Sequence, residues 1–278
     1  VREIREDLIA AHALRRFRSE YDYALFEYYR GAKMLAFLER EGVPLSGRVL
    51  DVGCGGGGMP ISLAEHADYV VGIDPCDRFG DAGVRIARER GLTNVRFLLA
   101  DGQALPFADQ AFDLVLSHAV IEHVADARRY LGECRRVLAP GGRCYLSTGP
   151  YLSMAGAHLP RLRVPVPLHL IAGRAIAFRT FRWLARHAPW TLREPAHENS
   201  FIRDARRGVR KEDDLLEKVR TARLRGHIAG AGFRIVREEL HETRTVRRLP
   251  APLARLVRAN ALLHDIFISN MEYVLARP

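Results

Sequence analysis

The stretch that most constrains this chain is Val49-Leu50-Asp51-Val52-Gly53-Cys54-Gly55-Gly56-Gly57-Gly58, a short β-type run that stops in glycines. Glycine carries no Cβ, so a turn built from it leaves the backbone open to close approach by a ligand. Met59-Pro60 follows. Pro is well tolerated in a first helical turn, which places a helix start directly behind the loop, with free N–H groups suited to an anionic group. The same rhythm recurs downstream. The β-type runs Arg48–Val52, Tyr69–Ile73, Val95–Ala100, Phe112–Ser117 and Arg143–Ser147 alternate with helical patterns over 59–67, 79–91 and 125–138. Such alternation predicts βαβ units and a parallel sheet with helices on both faces.

The flanks read differently. Residues 3–18 and 20–41 carry apolar positions at helical spacing, and Gly42 and Pro44 end the second helix. After Pro150 the alternation stops. Residues 151–211 are rich in Pro, His and Arg, with one helix predicted over 168–187. A helix over 212–231, strands at Phe233–Leu240 and Ile266–Ala276, and a helical piece around 251–263 complete the chain. The expected fold class is α/β: a doubly wound, Rossmann-like domain with a helical cover and an insertion after the fifth strand. Its expected parts are a cover at 1–44, a core at 45–150, an acceptor-binding insertion or lid at 151–211, and a completion of the core at 212–278 with a smaller insertion at 241–265.

Composition excludes several classes. With 48% hydrophobic and 27% charged residues the chain is globular rather than disordered. No apolar run approaches the ~18 residues of a membrane span, and the charged start lacks the apolar stretch of a secretory signal. The four cysteines form no C-x-x-C pair, which argues against a disulfide framework or a structural zinc site. The expected location is cytoplasmic, with the inner membrane face as a peripheral alternative. Of the net charge of +10, residues 151–225 hold +9, nearly all of it Arg.

Two glycine spacings coexist in the loop. Gly53, Gly55 and Gly58 satisfy G-x-G-x-x-G, a dinucleotide pattern that is weak alone. Gly53, Gly55 and Gly57 after Asp51 satisfy [DE]-x-G-x-G-x-G, the loop of S-adenosylmethionine (SAM) binders. Asp74, ending the second strand, suits a ribose diol under either reading. The segments that follow separate them. VLDVGCGGGG, VVGIDP, LLADGQALPFADQAFDLVLSHAVIEHV and RRVLAPGGRCYLST occur in that order over residues 45–150, and GHIAGAGFRIV resumes the pattern. In these segments the chain resembles the class I SAM-dependent methyltransferases of the type 11 group. The resemblance implies a seven-stranded, mostly parallel sheet with a reversed last strand, and SAM as cofactor. It places Asp51, Gly53, Cys54, Gly55 and Gly57 around the methionine moiety, Asp74 and Pro75 at the ribose, and Asp101, Gly102 and Gln103 at the adenine. Ser117 and His118 are expected to face the methyl sulfonium. Tyr21, Tyr28 and Arg30 are expected on the covering helix, with Arg30 paired to the methionine carboxylate.

Methyl transfer needs a base only when the acceptor must lose a proton, and His has a suitable reference pKa. The candidates are His118 at the end of the fourth strand, His123 in Ile121-Glu122-His123-Val124, and His158 after the fifth strand. Glu122-His123 resembles the end of the E-x-x-E-H metal motif of quinone-biosynthetic O-methyltransferases. Ala119 occupies its first position, so no metal is expected. The expected function is O-methylation of a small metabolite, a sugar or glycan precursor, or a natural product. A lipid-linked acceptor at the membrane surface and a non-catalytic SAM-fold binding protein are the alternatives. The predicted 168–187 helix gathers Arg179, Arg182 and Arg186 on one arc and Phe181, Leu184, Leu170 and Ala177 on another. It is read first as a lid and second as an interfacial helix; nucleic acid is not expected as a partner, and the sequence leaves the oligomeric state open.

Overall fold

The computed structural model describes residues 3–16, 18–153, 162–163, 166–192 and 217–278. Seven strands form one sheet: β1 (Arg48–Val52), β2 (Tyr69–Asp74), β3 (Val95–Leu99), β4 (Phe112–His118), β5 (Leu138–Thr148), β6 (Arg234–Glu242) and β7 (Ile268–Ala276). Their spatial order is β3-β2-β1-β4-β5-β7-β6. The first five are parallel, and β7 runs antiparallel to both β5 and β6. This is the doubly wound sheet with a reversed last strand that the sequence implied.

The helices divide between the two faces. On one lie α2 (Glu20–Arg40), α3 (Gly58–Ala64) and α4 (Phe79–Glu89), and on the other α5 (Ala127–Val137) and α8 (Thr221–Gly230). Strand alternation sorts the side chains. Leu114, Leu116, Tyr145 and Val274 join the α2 side, while Val115, Cys144, Leu146 and Tyr273 join the α5 side. α1 (Glu6–Arg15) packs on α2. α2 is capped by Ser19, whose hydroxyl accepts from the Asp22 N–H at 3.0 Å, and it buries Ala24, Tyr28, Ala32, Leu35 and Leu38 at helical spacing.

Three local expectations change. The fifth strand, expected from Arg143, starts at Leu138: Phe112 pairs with Leu138 and Leu114 with Arg143, so 139–142 bulge out opposite one residue. The helix predicted over 168–187 is two helices, α6 (Leu168–Ile171) and α7 (Arg174–His187), because Gly173 takes a φ of 79° between them. The piece around 251–263 is likewise split, with α9 (Arg244–Arg247) before it, into α10 (Ala251–Ala259) and α11 (Ala261–Phe267) at Asn260. There the Asn260 side chain accepts from the Leu262 and Leu263 N–H groups.

One contact positions the site. A Cβ on Gly58 would meet the Ala24 carbonyl oxygen, the Glu27 Cβ and the Tyr28 N, and one on Gly31 would meet the Ser62 Oγ at 2.6 Å. The backbone of α2 therefore lies directly on the first turn of α3. Gly58→Ala is expected to cost about 1–3 kcal/mol, since the obstruction is backbone that cannot turn aside. Urea unfolding measures it; an unchanged midpoint would mean that α2 does not rest on this turn.

Candidate active site

The loop after β1 turns under the C-terminal edge of the sheet, where open α/β sheets place ligands. Gly53, Gly55 and Gly57 hold φ values of 80°, 54° and 84°, the left-handed region that side chains resist. Gly53 N–H and Cys54 N–H both donate to the Ile73 carbonyl, at 2.7 and 2.8 Å. The Cys54 thiol turns away toward Gly72, so this residue offers its backbone alone. Asp74, at the end of β2, accepts from Gly55 N–H at 3.0 Å and from Cys76 N–H at 2.9 Å, locking loop to strand, with Pro75 exposed between.

Three carboxylates converge here. Asp51 is 2% exposed; burial first, then the neighbouring Glu27 and Asp74, push its pKa up to about 8. Glu27, on α2, reaches within 3.7 Å of the position a Gly55 Cβ would take. Burial raises Glu27 above the usual carboxylate range, and the Arg30 guanidinium and Tyr23 hydroxyl oppose that rise. Arg30 forms an ion pair with Glu27 at 3.1 Å, and its Nε is buried without a hydrogen-bond partner. Sequence reasoning missed Glu27 and Tyr23. Their signal was present: Tyr23, Glu27 and Arg30 recur three and four residues apart on one face of α2.

Asp101 ends the strand-to-loop passage after β3, accepts from Gln103 N–H at 2.9 Å, and is exposed. Gly102 packs so tightly that a Cβ would meet Tyr130 at 2.7 Å. The Gln103 side chain accepts from Asp126 N–H at 2.8 Å, which fixes this loop to the start of α5.

Ser117 requires correction. It is fully buried and its Oγ accepts from the Tyr130 hydroxyl at 2.7 Å, on the α5 side of the sheet. Adjacent residues of a strand point to opposite faces, so Ser117 and His118 cannot both present side chains to one ligand. His118 faces the α2 side. Tyr21 and Tyr28 are also redirected: their hydroxyls donate to Glu89 and Glu65, at 2.6 and 2.5 Å, away from the loop. His123 lies in a 3-10 turn beside Glu122, whose Oε2 accepts from the Thr148 hydroxyl at 2.9 Å. His158 lies outside the described residues.

Beyond His118 a cavity of 990 Å³ opens between α2 and the β6–β7 pair. Arg30, Met34 and Phe37 form one wall, and His118, Tyr145, Glu239, His241, Asn270 and Glu272 the other. The ladder pairs Ser147 with His118 and Glu272, and Glu272 with Glu239, so polar residues cross the sheet in a row. Where the inner face would otherwise continue apolar, the Tyr145 hydroxyl donates to Glu272 at 2.5 Å and His241 Nε2 bonds the other Glu272 oxygen. This Tyr-Glu-His chain went unnoticed in the sequence, although Asn270 and Glu272 break the apolar alternation of β7 in plain view. Burial would raise Glu272, but its bonds from His241 and Tyr145 hold it below the ordinary carboxylate range. The bond to Glu272 raises the His241 pKa. His118 moves the other way: burial first, then Arg30, lower it to about 3. Its ring stacks parallel to Tyr145 at 6.4 Å, and its Nδ1 is buried without a partner. Among the described residues no group of three His, Cys, Asp or Glu is placed to hold a metal ion.

The fold is Rossmann-like, and the carboxylates around its glycine loop suit a ligand that carries positive charge. Comparison with known proteins is specific. Residues 50–146 match the family described as a methyltransferase domain. It is 31% identical over 151 residues to an uncharacterized methyltransferase, YcgJ, of Bacillus subtilis, covering 50% of this chain and 60% of the relative. It is 34% identical over 115 residues to a ubiquinone biosynthesis O-methyltransferase of Coxiella burnetii, covering 41% and 48%. The chain thus spans only about half the length of these curated relatives. Among solved structures, an S-adenosylmethionine dependent methyltransferase from Mesorhizobium loti shares the fold with a TM-score of 0.51 at 21% identity, covering 87% of this chain and 96% of that one. The [4+2]-cyclase SpnF shares it too, with a TM-score of 0.53 at 22% identity, covering 89% and 81%.

The residues fit SAM, the cofactor of this domain. Its sulfonium and ammonium are positive, and the loop is surrounded by Asp51, Glu27 and Asp74; its carboxylate is negative, and Arg30 has an unused buried donor. A carboxyl with a folded pKa near 8 and an ordinary unfolded value destabilises the fold increasingly as pH rises between the two. Asp51→Asn should therefore raise the Tm of the cofactor-free protein at about pH 9 and change it little at about pH 4. SAM binding to the parent should release a proton near neutral pH, because a cation favours the ionised acid. Calorimetry in two buffers of different ionisation enthalpy detects that proton; its absence, or an unchanged Tm profile, would refute the assignment.

Proposed function

We propose that the chain transfers the methyl group of SAM to a hydroxyl oxygen of a small metabolite, a sugar or glycan precursor, or a natural product seated in the cavity between α2 and β6–β7. The Tyr145–Glu272–His241 chain carries this reading, because it sets a hydrogen-bonded base beside His118 in a cavity open to a second ligand. The fold alone would not suffice, since one fold hosts many reactions and a neighbour of the same fold is a cyclase.

When bound, SAM supplies a methyl on a positively charged sulfur that leaves as a neutral thioether. Asp74 would hold the ribose hydroxyls and Asp101 the adenine amine, with Gly102 and Gln103 bordering the ring. Asp51 and Glu27 would face the ammonium and sulfonium charges, and Arg30 the carboxylate. His118 is neutral across the physiological range, so it orients the acceptor by a hydrogen bond rather than by charge. His241, held through Nε2 by Glu272, takes the hydroxyl proton at its other nitrogen as the oxygen attacks. Alignment of oxygen, methyl and sulfur supplies much of the acceleration. No metal enters this scheme: Ala119 replaces the first acid of the metal motif and sits at a φ of 56°, and Glu122 already binds Thr148.

Labelled SAM incubated with metabolite and glycan fractions should yield a product whose methyl lies on oxygen by mass spectrometry, in excess EDTA as well. Asp74→Ala should weaken SAM at least tenfold, through two charge-assisted hydrogen bonds worth ~1.5–3 kcal/mol each. His241→Gln should lower turnover by roughly 10²–10⁴-fold with SAM affinity unchanged. Methyl found on nitrogen or carbon would overturn the acceptor assignment. SAM bound tightly with no transfer to any fraction would make the chain a binding protein.

A further inference from the structure

α7 has two apolar faces. The inner one, Ala177, Phe178, Phe181 and Ala185, is buried, and three of these four pack with Leu192, Leu162, Leu168 and Leu184. Ala177, Phe181 and Leu184 thus share one side, as the expected arc places them, and the burial of Phe178 and Phe181 excludes both from any outer contact surface. The outer face is unexpected. Ile176 is 55% exposed and Trp183, two turns along on the same side, 59%. Ile171 before the helix and Trp190 after it are 71% and 68% exposed. Arg179 and Arg186 stand three residues beyond Ile176 and Trp183, exposed in a parallel row with Arg182. Residues 151–193 contain no Asp or Glu.

We propose that this outer face of α7 docks the protein on an anionic lipid bilayer. Two features favour that occupant. Trp and aliphatic side chains flanked by arginines, with no acid between, suit the boundary of headgroups and acyl chains, where Trp concentrates and Arg extends its charge to lipid phosphates. A second copy of the chain is disfavoured, since a two-fold contact through one face sets arginine rows against each other. No described helix is long and apolar enough to cross a membrane, so the contact is peripheral. The inference does not depend on methyl transfer: binding to vesicles is read without SAM.

Trp183 and Trp190 are the only two tryptophans in the chain, so intrinsic tryptophan emission reports on this surface alone. The full chain is mixed with vesicles of equal phosphatidylglycerol and phosphatidylcholine, or of phosphatidylcholine alone, at low and physiological salt. The expected result is co-sedimentation with the anionic vesicles, weaker at the higher salt, with a blue-shifted emission quenched by brominated acyl chains. The triple change Arg179→Gln, Arg182→Gln and Arg186→Gln should lower the partition coefficient by roughly two orders of magnitude. The pair Ile176→Ser and Trp183→Ser should abolish the residual shift of Trp190. All these residues are exposed, and circular dichroism with SAM titration confirms that each variant is folded. Absence of co-sedimentation at low salt, or binding that survives both sets of changes, overturns the proposal. So does a blue shift that grows with protein concentration without vesicles, which marks self-association, or a short nucleic acid duplex that binds more tightly than the anionic vesicles.

Discussion

The close approach of α2 to the first turn of α3 governs the whole ligand edge of the sheet. Only glycine at 58 and 31 lets the helices meet backbone to backbone and backbone to side chain. That approach brings Glu27 over the glycine turn, places Arg30 between Glu27 and His118, and makes Met34 and Phe37 a wall of the cavity. The glycine loop and the cavity beside His118 therefore share one helix.

Much of the fold was legible because its signals are local. In the parallel half, strand, glycine turn and helix follow one another within short spans, and buried strands read as apolar runs. The positions of β1 to β5 along the chain follow from those spans. Where the sequence misled, tertiary context intervened. Gly173 sits inside a well-patterned helical stretch, and only its left-handed φ reveals the break between α6 and α7. Gly141 and Gly142 precede the strand expected from Arg143, whereas pairing of Leu138 with β4 encloses them in the strand as a bulge.

The site was legible in its backbone and less so in its side chains. Gly53, Gly55, Gly57, Asp51 and Asp74 follow from spacing. Ser117 could have been rejected from the sequence, since strand parity allows only one of Ser117 and His118 on the ligand side. Glu27 was visible on α2, but nothing local says which loop that helix face meets. Glu272 and His241 lie far along the chain from Tyr145, and their union requires the antiparallel placement of β7 between β5 and β6. Long-range pairing, not residue type, hid them.

The pKa directions across the site have one origin. Desolvation penalises whichever form is charged, so the same burial raises Asp51 and Glu27 and lowers His118. Near neutral pH the empty pocket is therefore less charged than its formula suggests: Asp51 holds a proton and His118 lacks one. A neutral pocket is less costly to keep dry than an ionised one. An arriving cation reverses the balance at Asp51, because its field favours the carboxylate by the same physics that had suppressed it. Near neutral pH Asp51 thus gains its negative charge as a positive ligand approaches. His241 escapes this pattern because Glu272 meets it with a direct hydrogen bond, strong enough to outweigh burial. His241 is thereby the histidine of the cavity lining whose basicity the fold raises, whereas burial lowers that of its neighbour His118.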